Sequence, residues 1–342
     1  MNSHKLVVGF ALAAAALVAA AQPTGGTAAL AEQAKKEGSV TIFTGTARYP
    51  QSAVAKLEQA FAAKYGYPLK ITIASTGPHP TVIQQLRSEA ASGVKPAVDL
   101  VPTALSLIKL LGDANALEPV DWEALGAPAQ SIVKVQYAVM TNVIARNVVY
   151  NTNLVKKSDA PKRLEDLADA KWQGKIVAPS IGDAFAMMVP ILGEEKTMAL
   201  VKTLVNDQKI VLVQSITDVA TKVASGEFAL GFGVPADWTG TRAKGAPIDN
   251  APLQKVSGQP FYSVVIKNAA HPAAAKMMGM FICCTVEGQK ALHDSLGWSR
   301  FETIGTEANE IGGAGRGVYP DIAFQLEQQR RISTEIGKLL GQ

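Results

Sequence analysis

The sequence predicts an α/β protein built from two lobes, and three observations lead to that prediction. The chain has 342 residues, of which 48% are hydrophobic and 18% charged, a balance typical of globular proteins. From Ser39 onward, short apolar runs alternate with longer amphipathic stretches, which indicates parallel strands joined by crossover helices. The alternation starts afresh near residue 140, as expected for two domains of ~150 residues each.

The N-terminal segment has the pattern of a secretory signal. Lys5 precedes an unbroken apolar run that ends at Ala21, where three small residues offer a signal-peptidase site. The alternative is a membrane anchor, but the run is shorter than the ~20 apolar residues that span a bilayer. Residues 1–21 are therefore predicted to be a signal peptide, and the mature protein is expected in the periplasm.

The first lobe is predicted over residues 22–137. Val54, Leu57 and Phe61 recur at helical spacing, and a second helical pattern stops at Gly93. In chain order the segments are the strand SVTIFTGT, the helix QSAVAKLEQAFAAKYG, the strand LKITIAST, the helix HPTVIQQLRSEAASG and the strand AVDLVPTA. Such a short succession of strands and helices predicts a parallel sheet.

The second lobe is predicted over residues 138–258. Its segments are one or two strands in VMTNVIARNVVYNT, a strand in GKIVAPS, a helix in DAFAMMVPILGEEKTMALVKTLV, a short strand and helix in KIVLVQSITDVATKVASG, and a strand in FALGFGVP. We expect strands to carry the chain between the lobes. Residues 259–342 are predicted to return to the first lobe and to end in helices.

Composition and motifs favour a binding protein over an enzyme. The net charge is only +4 and the basic residues are scattered, so no nucleic-acid partner is indicated. Cys283 and Cys284 are adjacent; a disulfide between them would strain the backbone, and we expect two thiols, at least one of them buried. The sequence contains no GxSxG, HExxH, CxxC or GxxxxGK[ST] motif, and its histidines are interpreted as solvated side chains. No cofactor is expected.

Small hydroxyl residues and glycines follow four of the predicted strands. In an open α/β sheet, ligands bind beyond the carboxyl ends of the strands, where loops lead into helix N-termini that favour negative charge. Any one of these residues is better explained as a helix cap or a turn residue, but their repetition favours a ligand site. The candidates are Thr44, Gly45, Thr46, Ser75, Thr76, Thr103, Ser180, Gly182 and Asp183.

Asp237 and Trp238 occupy the corresponding end of the strand FALGFGVP. An indole offers a flat apolar or cation-binding face, and a carboxylate accepts hydrogen bonds from an ammonium or a hydroxyl. Equally, Trp238 could pack on the lobe surface while Asp237 caps a turn. The residues alone leave both interpretations open.

Several strings of the sequence resemble one protein family. VVYNTNLV, KWQGKIVAPS, GEFALGFGVP, VVIKNAAHPAAAKMMGMFI and YPDIAFQLEQQRRI are similar to segments of the extracellular solute-binding proteins that carry ferric iron, phosphonates, polyamines, thiamine or sugar phosphates to ABC importers. The resemblance spans nearly the whole mature chain. It implies a type II periplasmic-binding fold, in which two lobes joined by crossing strands close on a ligand, and a monomer that docks on a membrane permease with its ATPase.

The iron-binding members of that family place two adjacent tyrosines after the second-lobe strand, since ferric iron prefers anionic oxygen ligands. This sequence has Asp237 and Trp238 there. Iron is therefore the minor interpretation, with Tyr49, His79 and Asp237 as the metal ligands. The favoured hypothesis is a transport protein for a small anionic or zwitterionic organic solute. The alternatives are a secreted two-domain enzyme and a partner of a membrane receptor.

Overall fold

The computed structural model describes residues 25–233 and 242–341. The predicted signal peptide and the pair Asp237 and Trp238 lie outside the described residues. Among the helices that are described, none is long and apolar enough to cross a membrane.

The first lobe contains the predicted parallel sheet. Its elements are α1 (Gly25–Glu37), β1 (Ser39–Phe43), α2 (Gln51–Tyr65), β2 (Lys70–Ala74), α3 (His79–Ser92), β3 (Leu100–Ala104) and α4 (Leu105–Asp113). Strand β1 pairs in parallel with both β2 and β3. Helix α2 buries Val54, Leu57 and Phe61, as their spacing predicts, and α3 ends at Gly93, whose φ of 68° suits a residue without a side chain.

The second lobe repeats this arrangement with one difference from the prediction. Strands β6 (Ile176–Pro179), β7 (Val211–Val213) and β8 (Leu230–Gly233) are parallel, and α8 (Ile216–Ala224) precedes β8. The single helix expected over residues 183–205 is three helices, α5 (Gly182–Ala186), α6 (Val189–Leu192) and α7 (Glu194–Asn206). Pro190 cannot donate a helical hydrogen bond, and Gly193 takes a φ of 80°, so the helix breaks there.

Two long strands connect the lobes. Strand β5 (Ala138–Asn151) pairs through its first half with β10 (Val256–Val265) and through its second half with β8 and with β9 (Ile248–Asn250). Strand β10 pairs on its other edge with β3, and the short β4 (Ile132–Val133) pairs with the start of β5. The strand order is therefore continuous from one lobe to the other, β2-β1-β3-β10-β5-β8-β6-β7.

The C-terminal segment divides between the lobes. Helices α9 (Pro272–Cys284) and α10 (Val286–Leu296) pack in the first-lobe core, where we expected the whole segment from 259 onward. The chain then forms α11 (Glu307–Gly312), β11 (Gly317–Val318), a π-helical turn (Phe324–Gln328) and α12 (Gln329–Leu339). Ile332 and Ile336 of α12 are fully buried in the core of the second lobe, so the last helix belongs to that lobe.

Both cysteines of α9 are free thiols, and Cys283 is buried, as predicted.

Candidate functional site

The crossing strands β5 and β10 form the floor of the cleft between the lobes. Residues that lie opposite each other in an antiparallel pair share one face of the sheet. The register places three such pairs on the face that lines the cleft: Arg146 with Ser257, Ile144 with Gln259, and Asn142 with Phe261. This face is therefore unusually polar for the centre of a buried sheet.

A cavity of about 320 Å³ opens above this floor and is called the arginine pocket. His79 and Thr103 line it from the first lobe, Asp183 lines it from the second, and Arg146 and Gln259 lie on the floor. Residues from both lobes and from both crossing strands thus meet around one cavity, which is the arrangement that a ligand bound between two lobes requires.

His79 is the first residue of α3 and is not the solvated loop side chain that the sequence suggested. Its ring lies edge-on between Phe43 and Phe261, with ring centroids 4.8 and 5.3 Å away. Nδ1 is 2.8 Å from Oγ1 of the buried Thr103. Burial lowers the pKa of His79 to about 4, so the imidazole is neutral at neutral pH and adds no positive charge to the pocket.

Arg146 supplies the positive charge of the arginine pocket. Its side chain is only 10% exposed, and Nη2 lies 3.8 Å from Oδ2 of Asp183. Asp183 is held in turn by α12, since Nε2 of Gln329 donates to Oδ1 at 2.7 Å and the hydroxyl of Ser333 donates to the same oxygen at 3.3 Å. Gln329 also donates to Gln259 on the floor. The C-terminal helix therefore fixes the carboxylate that faces the guanidinium.

Guanidinium chemistry indicates which ligand group fits this pocket. The planar fork of an arginine matches the two oxygens of a carboxylate or a phosphate, and the match is strongest where water is largely excluded. Ser257 lies opposite Arg146 on the floor, and its buried hydroxyl has no hydrogen-bond partner within the described part of the chain. An anionic group on the floor of the pocket would meet the guanidinium of Arg146.

A second, larger cavity of about 750 Å³ adjoins the first and is called the aromatic chamber. The two cavities share Ile144 and Arg146 as lining residues. Tyr49 and Trp298 form one wall of the chamber, with ring centroids 6.3 Å apart and an interplanar angle of 87°. Burial raises the pKa of the Tyr49 phenol to about 12.

The structure brings Thr103 and Asp183 of the predicted site to one pocket but directs other candidates elsewhere. The hydroxyl of Thr44 lies 3.2 Å from that of Ser75, and both donate to the carbonyl of Ala47. These two hydroxyls therefore tie the loop after β1 to the end of β2. Gly45 has a φ of 74°, and a Cβ there would lie 2.9 Å from Nε2 of His79, so this glycine makes room for the imidazole.

The remaining candidates lie outside the arginine pocket. Thr46 and Thr76 are exposed, and the backbone N–H of Ser180 donates to Val213 within the sheet. Gly182 is buried against α12, where a Cβ would lie 2.1 Å from the carbonyl oxygen of Ser333. Its lack of a side chain therefore serves helix packing.

Sequence reasoning missed the floor of the cleft. Asn142 and Arg146 are four residues apart on one face of β5, and Arg146 is the one charged residue of that strand. A charged side chain in a buried strand is rare without a function. Arg146 was therefore the feature of the sequence that could have indicated the floor of the cleft. Gln259 and Gln329 carry no comparable signal.

Two lobes, strands that cross between them and a cleft at the crossing define a type II periplasmic-binding protein. The chain belongs to the bacterial extracellular solute-binding protein family, whose model matches residues 56–299. Proteins of this family are the solute-binding components of ABC transporters. No curated protein matches the chain.

Solved structures similar to the chain share its fold. Iron-bound HitA from Pseudomonas aeruginosa is 17% identical with a TM-score of 0.65, over 89% of this chain and 99% of HitA. AfuA from Actinobacillus pleuropneumoniae, with fructose-6-phosphate bound, is 19% identical with a TM-score of 0.57, over 89% and 96%. AgtB from A. tumefaciens R10, in complex with agropinic acid, is 15% identical with a TM-score of 0.61, over 89% and 99%. Ligands differ widely within this one fold.

Proposed function

We propose that this protein captures a small organic anion in the cleft between its lobes and delivers it to the permease of an ABC importer. Arg146 carries the proposal, because its guanidinium lies on the floor of a pocket that both lobes line. A carboxylate, phosphonate or phosphate on the solute would bind there, and the neutral His79 and Thr103 would contact it from the first lobe.

Closure of the lobes follows from the position of this pocket. A solute that contacts His79 and Thr103 on one side and Asp183 on the other binds better when the lobes approach each other. Strands β5 and β10 are the connections that would bend. In this proposal the protein acts as a monomer in the periplasm, and the permease and its ATPase recognise the closed form.

Ferric iron remains the minor candidate, favoured by the similarity in fold to iron-bound HitA and to a ferric binding protein from Campylobacter jejuni. Of its proposed ligands, Tyr49 is held protonated by burial, which raises the pKa of the phenol to about 12, and Nδ1 of His79 is bonded to Thr103. Residues 234–241 contain no tyrosine, and the described residues contain no group of three His, Cys, Asp or Glu side chains able to hold a metal. The charge of Arg146 also opposes a trivalent cation.

A thermal-shift panel tests the proposal and separates it from its alternatives. The protein lacking residues 1–21 is screened against carboxylates, phosphonates, sugar phosphates, polyamines, and ferric iron with carbonate. A ligand at 100 times its Kd stabilises the folded protein by ~2.7 kcal/mol, and we expect that shift with an organic anion. A shift with iron alone would overturn the proposal, and a solute recovered chemically altered would identify an enzyme.

A further inference from the structure

The aromatic chamber is open to any solute that is anchored at Arg146. Ile144 and Arg146 line both cavities, and the chamber of about 750 Å³ is more than twice as large as the arginine pocket of about 320 Å³. A solute consisting of an anionic group alone would leave the chamber unused. The side chains that line the chamber therefore indicate which chemical groups the rest of the solute carries.

One wall of the chamber is suited to a cation. Tyr49 and Trp298 meet edge to face, with ring centroids 6.3 Å apart. The faces of indole and phenol rings attract ammonium and guanidinium groups, most strongly where the site is shielded from water. The apolar side chains of Ile216 and Leu296 complete a surface along which an aliphatic chain can lie.

Two carboxylates and a buried amide oxygen line the chamber. Asp294 and Glu307 line the chamber, and each has one basic neighbour: Lys290 lies 3.2 Å from Asp294, and His293 lies 3.5 Å from Glu307. Asn142 lines the chamber from the floor and is only 2% exposed. Its Oδ1 has no hydrogen-bond partner among the described residues. A buried acceptor without a donor indicates a donor on the ligand.

We propose that the solute is an elongated organic acid with an ammonium or similar cationic group at the end opposite its anionic group. The anionic end binds Arg146, the chain crosses Ile144, and the cationic end lies against Tyr49 and Trp298, donating hydrogen bonds to Asn142 and Glu307. This inference rests on the proposed function, because it requires the anion to bind at Arg146.

Matched pairs of ligands test the inference. Hexanoate and 6-aminohexanoate, and hexylphosphonate and 6-aminohexylphosphonate, differ only at the far end; calorimetric titration measures the Kd of each, with propionate as the short anion. We expect the ammonium to improve affinity about tenfold in at least one pair, as for a cation on a shielded aromatic wall. Glu307→Gln and Trp298→Leu should each reduce that ratio.

Glu287→Gln is the control variant, because Glu287 pairs with Lys64 on the surface and lines neither cavity. It should leave the ammonium preference intact. If the two members of each pair bind equally while propionate or another short anion still binds, the inference is wrong and the proposed function stands. If no anion of any length binds, the proposed function fails, and the inference fails with it.

Discussion

Acid should destabilise this protein through His79, and the size of the effect follows from the lowered pKa of its buried imidazole. Burial between Phe43 and Phe261 lowers the pKa of the imidazole to about 4, whereas an unfolded histidine has a pKa of about 6.5. Between these values the unfolded chain binds a proton that the folded protein does not, so stability falls as the pH falls from about 6.5 toward 4. At pH 5 the loss from this residue is about 2 kcal/mol.

Chemical denaturation at pH 7 and at pH 5 measures this loss. Wild-type protein and His79→Gln both lose stability from their other titrating groups, so the difference between them isolates the imidazole. We expect the wild type to lose about 2 kcal/mol more than the variant. His293→Gln is the control, since His293 lies outside the arginine pocket. If the stability of the wild type and that of His79→Gln depend equally on pH, the conclusion that folding lowers the pKa of His79 is refuted.

Two further predictions concern packing and the thiols. Gly182→Ala should destabilise the protein by about 1–3 kcal/mol, because the new methyl group would meet the backbone of α12. Denaturation of Gly233→Ala gives the comparison, since among the described residues a Cβ at Gly233 meets only Val149, at 3.9 Å; equal losses would contradict the packing role. Burial raises the pKa of Cys283 to about 11 and also raises that of Cys284. Neither thiol should therefore react with Ellman's reagent at about pH 8 until denaturant is added, and rapid reaction of the native protein would contradict this.

The sequence predicted those elements whose signals are local. Val54, Leu57 and Phe61 identify the buried face of α2 by spacing alone, and glycines mark the ends of α2 and α3. The prediction missed that the segment after β6 forms three helices. A 23-residue pattern of apolar residues outweighed the single proline and the single glycine within it. The assignment of α12 to the second lobe depends on packing between segments that are far apart in sequence, which no local pattern reveals.

The site was predicted less well because the strand-end rule identifies loops and not the floor. Thr103 and Asp183 lie at strand ends and do line the arginine pocket. Thr44 and Ser75 satisfy the same rule, but both hydroxyls donate to the carbonyl of Ala47 in the loop after β1. The residues that give the pocket its charge and shape, Arg146 and Gln259, lie in the middle of long strands. Only the crossing of β5 and β10 brings those positions to the cleft.

The most direct test of the central claim is the affinity of Arg146→Gln for the organic anion that gives the largest thermal shift. A hydrogen bond to a charged group contributes about 1.5–3 kcal/mol, so calorimetry should show a Kd that is roughly 10- to 100-fold weaker than that of the wild type. Arg330→Gln is the matched control, because Arg330 is exposed on α12 outside both cavities, and it should bind as the wild type does. An unchanged Kd for Arg146→Gln would contradict the claim that this cleft recognises an anion through its floor.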